Sequence, residues 1–228
     1  MKKILLYSLA LCLTTFGLTS CNDDEDQYTD SRVTYYIALE MQGDEVVYVN
    51  LGDTYTDAGC KAFSNGEDVS SQVVTSSDVN TSELGVYHVT YKAVNKDGFS
   101  STATRTVYVG TPLTGVVSNG TYRLRGETTT PYSGYELLIL SNNKDTYFVE
   151  DLLGGYYYLR AGNGSTYAMP AYIQVQPDNS VNIVKGGGVP AWGDAYSKFS
   201  GTYDAAKNTI SMVTTYSGMK FYVILKLN

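Results

Sequence analysis

Hydrophobic and polar residues alternate with a period of two along most of this chain, the pattern of half-buried strands and not of helices. Val86-Tyr87-His88-Val89-Thr90-Tyr91-Lys92-Ala93-Val94 is one such stretch. Asn95-Lys96-Asp97-Gly98 then reads as a hairpin loop, and Phe99 to Val109 alternates again. With Val46-Val47-Tyr48-Val49, ended by the turn Asn50-Leu51-Gly52-Asp53, these predict a two-sheet sandwich over residues 34–110. Leu84-Gly85-Val86-Tyr87 places a tyrosine at a strand start, where a tyrosine corner would return its hydroxyl to the upstream backbone. Thr111-Pro112-Leu113-Thr114-Gly115 marks a boundary, and residues 113–228 form a second block. There, strands are expected at 120–125, 135–140, 146–149, 155–159, 172–176, 181–184, 200–203, 209–213 and 220–227. The joining segments are mostly turns such as Ser141-Asn142-Asn143-Lys144-Asp145 and Pro177-Asp178-Asn179-Ser180. A meander of that many short strands predicts a closed antiparallel barrel or a curled sandwich. The fold class is all-β, and no window shows helical periodicity outside the N-terminal leader.

Composition agrees with that reading: 22 Tyr stand against 6 Phe and 1 Trp, and tyrosine, threonine, valine and glycine form a strand-and-turn vocabulary. Cys12 falls in the leader and Cys21 at its end, so Cys60 is left alone and no intrachain disulfide is available. A lone Cys among strand residues is expected to be a small apolar core residue. His88 is the only histidine and sits in a strand pattern with no nucleophile motif around it, which removes Ser-His-Asp and Cys-His devices. Asp53, Asp57, Asp78 and Asp97 do not have EF-hand spacing and are expected to cap turns. Glu150 and Asp151 are adjacent, a poor glycosidase pair, since that chemistry needs carboxyls converging across a cleft. Gly186-Gly187-Gly188 lacks the Lys-Ser/Thr and helix start of a phosphate loop. No cofactor, metal or catalytic residue is expected.

The leader decides location. Met1-Lys2-Lys3 precedes an apolar run, Ile4 to Leu18, shorter than the ~20 residues of a membrane-spanning helix. Leu18-Thr19-Ser20-Cys21 resembles the lipobox of bacterial lipoproteins. That resemblance implies cleavage after residue 20 and acylation, such as palmitoylation, of Cys21. Buried acyl methylenes, at about 0.8 kcal/mol each, would then hold the chain on a membrane. Residues 21–33 read as a tether. Within it, Asn22-Asp23-Asp24-Glu25-Asp26 resembles the acidic export signal with which Bacteroidetes lipoproteins reach the cell surface, and it would equally serve as a solvated spacer. Loss of Lys2 and Lys3 with residues 1–20 leaves 14 basic against 23 acidic residues, a formal charge of −9. Nucleic acid, which needs clustered Lys and Arg, is excluded as a partner.

Two further resemblances concern the folded part. Asp53-Thr54-Tyr55-Thr56-Asp57-Ala58-Gly59-Cys60-Lys61-Ala62, Leu84 to Tyr91, Asn95 to Gly98 and Arg105-Thr106-Val107-Tyr108-Val109 are similar to bacterial Ig-like domains of the pesticidal-crystal-protein type. This implies a spacer or adhesive module without activity. Asp151-Leu152-Leu153-Gly154-Gly155-Tyr156-Tyr157, Ala191-Trp192-Gly193-Asp194 and Gly201 to Ile210 resemble the C-terminal domain of a Bacteroidales lipoprotein family in which it follows an Ig-like domain. That resemblance implies an accessory lipoprotein of a glycan uptake system in the outer membrane, facing the cell exterior.

Binding chemistry is expected from the aromatic set Tyr156, Tyr157, Tyr158, Tyr167, Tyr172 and Trp192, whose rings would stack on sugar C–H faces, with Asn163 and Asp194 bonding hydroxyls. As strand neighbours, Tyr156 and Tyr158 would share a face and Tyr157 the other. The alternative is that these tyrosines fill the barrel core. Lys185-Gly186-Gly187-Gly188-Val189-Pro190 would form a mobile rim leading to Trp192. The expected function is a non-catalytic surface lipoprotein that binds carbohydrate or serves a glycan uptake system. The alternative is a structural, assembly or adhesion role with outer-membrane transporter components.

Overall fold

A computed structural model describes residues 33–124 and 129–228. The leader, Cys21 and the acidic run lie outside the described residues. Seven strands, β1 (Ala38–Met41), β2 (Val46–Val49), β3 (Cys60–Ser64), β4 (Glu67–Asp68), β5 (Val74–Ser77), β6 (Gly85–Val94) and β7 (Ser100–Val109), make the expected sandwich. Its sheets run β1-β3-β4 and β2-β7-β6-β5, with β2 parallel to β7. The β6–β7 hairpin is in register from Gly85↔Val109 to Val94↔Ser100, which sends Val89, Tyr91, Ala93, Val107 and Val109 inward and leaves His88 and Lys92 exposed. His88 is therefore an ordinary strand residue. The tyrosine corner is present, the Tyr87 hydroxyl donating to Glu83 O at 3.0 Å. Cys60 is half-buried against the sandwich core.

The same alternation drives one cation inside. Arg105 faces Val89 across the ladder and is fully buried. Its guanidinium pairs with Asp57 and donates to Gln42 O, to Asp44 O at 2.8 Å and to the Tyr91 hydroxyl at 2.7 Å. Asp57 further accepts from Tyr55 at 2.8 Å, Tyr91 at 2.7 Å and Gly59 N–H at 2.9 Å. Asp57 thus straps its loop over the sandwich core, with its lone pairs spent on protein donors. Asp53 and Asp78 bind Asn50 and the His88 N–H, as turn caps do.

The second half contains β8 (Thr111–Leu124), β9 (Thr129–Tyr132), β10 (Glu136–Ser141), β11 (Thr146–Val149), β12 (Ala171–Val175), β13 (Ser180–Gly186), β14 (Gly188–Val189), β15 (Asp194–Ala195), β16 (Lys198–Asp204), β17 (Thr209–Tyr216) and β18 (Met219–Leu227). Sequential antiparallel pairing closes when β18 meets β8 along Met219↔Leu124 to Leu227↔Gly115. The other edge of β8 is shared: β10 takes Thr111 to Val116, and β9 takes Gly120 to Arg123. Eight strands, β8, β10–β13 and β16–β18, therefore form a closed barrel, which decides against the curled sandwich. The narrowest seam is β13–β16, with only Ser180↔Thr202 and Val181↔Gly201 in register.

Residues 155–159 are not a strand. Gly154 and Gly155 both adopt positive φ (65° and 76°), and Tyr156–Arg160 coils into a π-helical turn in which Arg160 N–H and Ala161 N–H bond Gly155 O and Tyr156 O. The β-propensity of three tyrosines yields to the two glycines before them, which reverse the chain. Asp151 fixes this reversal: wholly buried, it accepts from Leu153 N–H (2.9 Å), Gly155 N–H (2.8 Å) and Met169 N–H (3.0 Å). Leu152, Leu153 and Met169 pack with Ile139, Ile173, Ile210 and Val223 in the barrel core, and Tyr132 donates to Leu153 O at 2.7 Å. The barrel is thus plugged by its own β11–β12 connection, a packed core and not a ligand chamber.

One glycine, Gly110, separates β7 from β8. Leu140 and Phe148 are buried but stand outside the barrel core cluster, because they point outward toward the sandwich. A Cβ on Gly110 would meet Leu84 at 2.4 Å and Leu140 at 3.4 Å, and the Tyr172 hydroxyl is hydrogen-bonded to the backbone of Val86. Sandwich and barrel share this apolar seam within one compact unit, Tyr36–Asn228.

Candidate functional site

β13, β16 and β17 place Gly186, Lys198 and Tyr216 at one end of the barrel, the end that the plug enters. Between β13 and β16 the chain forms a small hairpin, Gly188↔Ala195 and Val189↔Asp194. Its turn is closed by Trp192 N–H and Gly193 N–H on Val189 O, and Ala191 N–H bonds Thr166 O at 2.9 Å. The glycines before it are packed, in contrast to the mobile rim expected from sequence. A Cβ on Gly186 would lie 2.6 Å from Pro170 O, and one on Gly187 would lie 2.5 Å from the Tyr196 ring. Gly187 also bonds Pro170 O and Tyr196 N–H. Glycine serves close backbone approach here.

This rigid hairpin presents Trp192 at the barrel end, 45% exposed. Tyr157 and Tyr167 meet the indole edge-on, with centroids at 4.9 and 5.0 Å and planes at 90° and 78°. Tyr216 lies parallel to it at 6.1 Å and 17°. Tyr216 is buried, and its hydroxyl donates to Asp194 Oδ1 at 2.5 Å. Burial, and then the bond to Asp194, push the Tyr216 hydroxyl well above the usual tyrosine range, so it remains a donor at any physiological pH. Asp194 keeps an exposed carboxylate within this group.

Trp192, Tyr167 and Asp194 therefore converge. Tyr157 joins them at the indole, whereas Tyr156, Tyr158 and Tyr172, expected with them, do not. Tyr156 packs in the plug against Tyr122 (4.6 Å), Tyr132 (5.4 Å) and Phe221 (5.4 Å), with the Arg160 guanidinium 4.9 Å from its ring. Tyr158 bonds the carboxylate of Glu150, which also accepts Leu138 N–H at 2.8 Å. Burial raises the Glu150 carboxyl. Asp151 is sealed in the plug, so Glu150 and Asp151 have no shared cleft. Tyr216 is the member that the sequence reading did not single out. For Tyr216 a signal existed: Ile210, Met212 and Thr214 alternate inward along β17, and Tyr216 is next on that face. A separate hollow of about 310 Å³ lies on the outer barrel wall, lined by small residues such as Ser200, Gly201 and Ser211 beside Tyr222. Among the described residues no group of three His, Cys, Asp or Glu could hold a metal ion, and no helix is long and apolar enough to cross a membrane.

Comparison with known proteins follows this division of the chain. A C-terminal-domain family model matches residues 107–227, and the bacterial surface protein Ig-like domain matches residues 39–109. The sandwich is thus Ig-like. No curated protein matches the chain. Among solved structures, the lipoprotein BT2262 from Bacteroides thetaiotaomicron is 30% identical, with a TM-score of 0.61, over 84% of this chain and 100% of that one. The CBM51-2 and INT domains of Clostridium perfringens ZmpB, solved with GlcNAc, align over 84% of this chain and 44% of theirs at 12% identity and a TM-score of 0.28. A Bacteroides ovatus protein of unknown function aligns over 84% and 94% at 10% identity and 0.30. Those two likenesses carry no argument. The matching families are Ig-like and β-rich domains and not enzyme families. With the C-terminal model covering more than half of the chain and BT2262 aligned over its whole length, this chain belongs to one family with the Bacteroides lipoprotein BT2262.

Proposed function

We propose that this protein is a non-catalytic, lipid-anchored protein of the outer membrane surface, acylated at Cys21, whose barrel end binds a neutral carbohydrate for a glycan uptake system. The observation that carries the binding reading is the Trp192 platform. An indole with nearly half its surface in water is held on two edges by Tyr157 and Tyr167 and backed by Tyr216. Aromatic faces fit the apolar C–H face of a pyranose, and a pre-positioned ring loses little entropy on binding. Asp194 beside it accepts from sugar hydroxyls and repels uronic or sulfated sugars. The lipoprotein relative and the lipobox-like Leu18-Thr19-Ser20-Cys21 support the anchor.

Trp192 is the only tryptophan, so its fluorescence reports the platform directly. A panel of neutral and anionic polysaccharides titrated into the protein is expected to change the emission with a neutral member, and Trp192→Ala to weaken retention on that glycan at least about tenfold. Unchanged emission and no retention across the panel would sink the reading.

A further inference from the structure

Exposed apolar surface gathers at the tip of the sandwich remote from the barrel. Tyr36 is 64% exposed and Phe99 49%, and their rings lie 5.4 Å apart. Val94, just before the β6–β7 loop, is exposed, as is Val74, which pairs with Lys92 and so shares an outer face with Val94. Single exposed apolar residues are ordinary, but two exposed aromatic rings in contact at one loop tip form a patch, with the two valines on the opposite face of the same hairpin end. Lys92 and Lys96 are exposed beside it; of the acids at this end, Asp97 is half-buried in the loop itself next to Lys96, and Glu67 and Asp68 sit on β4 at the edge of the other sheet. β7 leaves this tip at Ser100 and reaches the barrel junction after Val109, a run of ten residues or about 30 Å.

Tyr36 is also the first residue of the compact unit, fifteen positions after Cys21. Even fully extended, that segment spans no more than about 50 Å. A tether of this length keeps the patch at roughly millimolar effective concentration over the surface that holds the acyl chains. We infer that the Tyr36–Phe99 tip is a membrane-docking surface, seated in the interfacial zone of the bilayer that carries the protein's own anchor. The inference rests on acylation of Cys21. Tyr36 suits that zone, with an apolar ring and a polar hydroxyl. Lys92 and Lys96 can lay their stems on the patch and keep their ammonium groups among headgroups. The sandwich then stands as a pillar that holds the barrel about 30 Å out.

The test uses the acylated full-length protein on phosphatidylethanolamine–phosphatidylglycerol vesicles, with and without brominated acyl chains. Phe99→Trp in a Trp192→Phe background puts the sole indole at the tip, whereas the native chain carries it at the barrel end. An indole about 5–10 Å into the headgroup boundary lies within quenching range, so Phe99→Trp should shift to the blue and lose at least about half its emission in brominated vesicles, while Trp192 loses little. Tyr36→Ser with Phe99→Ser should leave flotation with vesicles unchanged but speed tryptic cleavage at Lys96 several-fold. Protein that floats with vesicles while Phe99→Trp stays unquenched would overturn the docking and leave the anchor standing. A blue shift that follows protein density and ignores bromine would mean that a second copy covers the tip, which also overturns it. Protein that does not float at all refutes the anchor, and the inference with it.

Discussion

Two carboxyls in this chain, half-buried Asp57 and fully buried Asp151, are shifted in opposite directions, and their surroundings say why. Burial alone would raise Asp57, but donors from Tyr91, Tyr55, Arg105 and the Gly59 N–H outweigh it and hold the carboxyl below its ordinary value. Its stabilising contribution is therefore present above the usual carboxylate range and is lost only as pH falls below it. Asp151 accepts three N–H groups but has no cation; burial wins and pushes it up to about 6. A folded-state value above the unfolded one means stability that is full near pH 4 and is lost as pH rises through 6. Thermal unfolding between pH 4 and 6 should show the midpoint falling as pH rises, by a free-energy change of up to about 3 kcal/mol at 1.36 kcal/mol per unit. Glu150, also raised by burial, works in the same direction. Asp151→Asn should flatten most of that slope; an unchanged slope would reject Asp151 as its source.

At the level of elements, the β11–β12 connection and the 188–195 hairpin give the barrel its character. Both depend on glycines that allow close approach. Across β8–β9, Gly120 faces Tyr132, whose ring lies 2.5 Å from where a Cβ would stand and whose hydroxyl holds the plug at Leu153 O. Gly120→Ala must push that ring off the plug, so a loss of about 1–3 kcal/mol in denaturant unfolding is expected. A change within about 0.5 kcal/mol would show that the ring relocates freely. Strands with clean alternation, such as β6, β7, β17 and β18, were legible in the sequence because one face of each meets a core. The π turn was not, since Tyr156-Tyr157-Tyr158 has strand composition and its reversal depends on Asp151 reaching two nearby N–H groups, Leu153 and Gly155, and one distant one, Met169. Short β4, β14 and β15, two residues each, carry no periodicity to detect.

In the whole molecule, the Ig-like sandwich and the barrel are joined through Gly110 and through Leu140, Phe148 and Tyr172 on the outer barrel wall. A one-residue connection and an apolar seam couple the two cores, so calorimetry should record one cooperative transition. Leu140→Ala, which opens a cavity at that seam, should cost about 3 kcal/mol and separate the transition into two. Two transitions already present in the unmodified protein would contradict the coupling.

The sequence by itself determined the all-β class, the order of the sandwich and the second β-rich domain, and the tyrosine corner, because each is written in local alternation or turn chemistry. Tertiary structure alone decided that the barrel closes and is plugged, that Tyr156 packs into the plug behind Tyr157 while Tyr158 turns to Glu150, and that Tyr157, Tyr167, Trp192 and Tyr216 meet. It also decided that Tyr36 and Phe99 share one exposed tip. These features join residues that are tens of positions apart. Strand register and backbone reversal, properties of the folded whole, set which side chains converge.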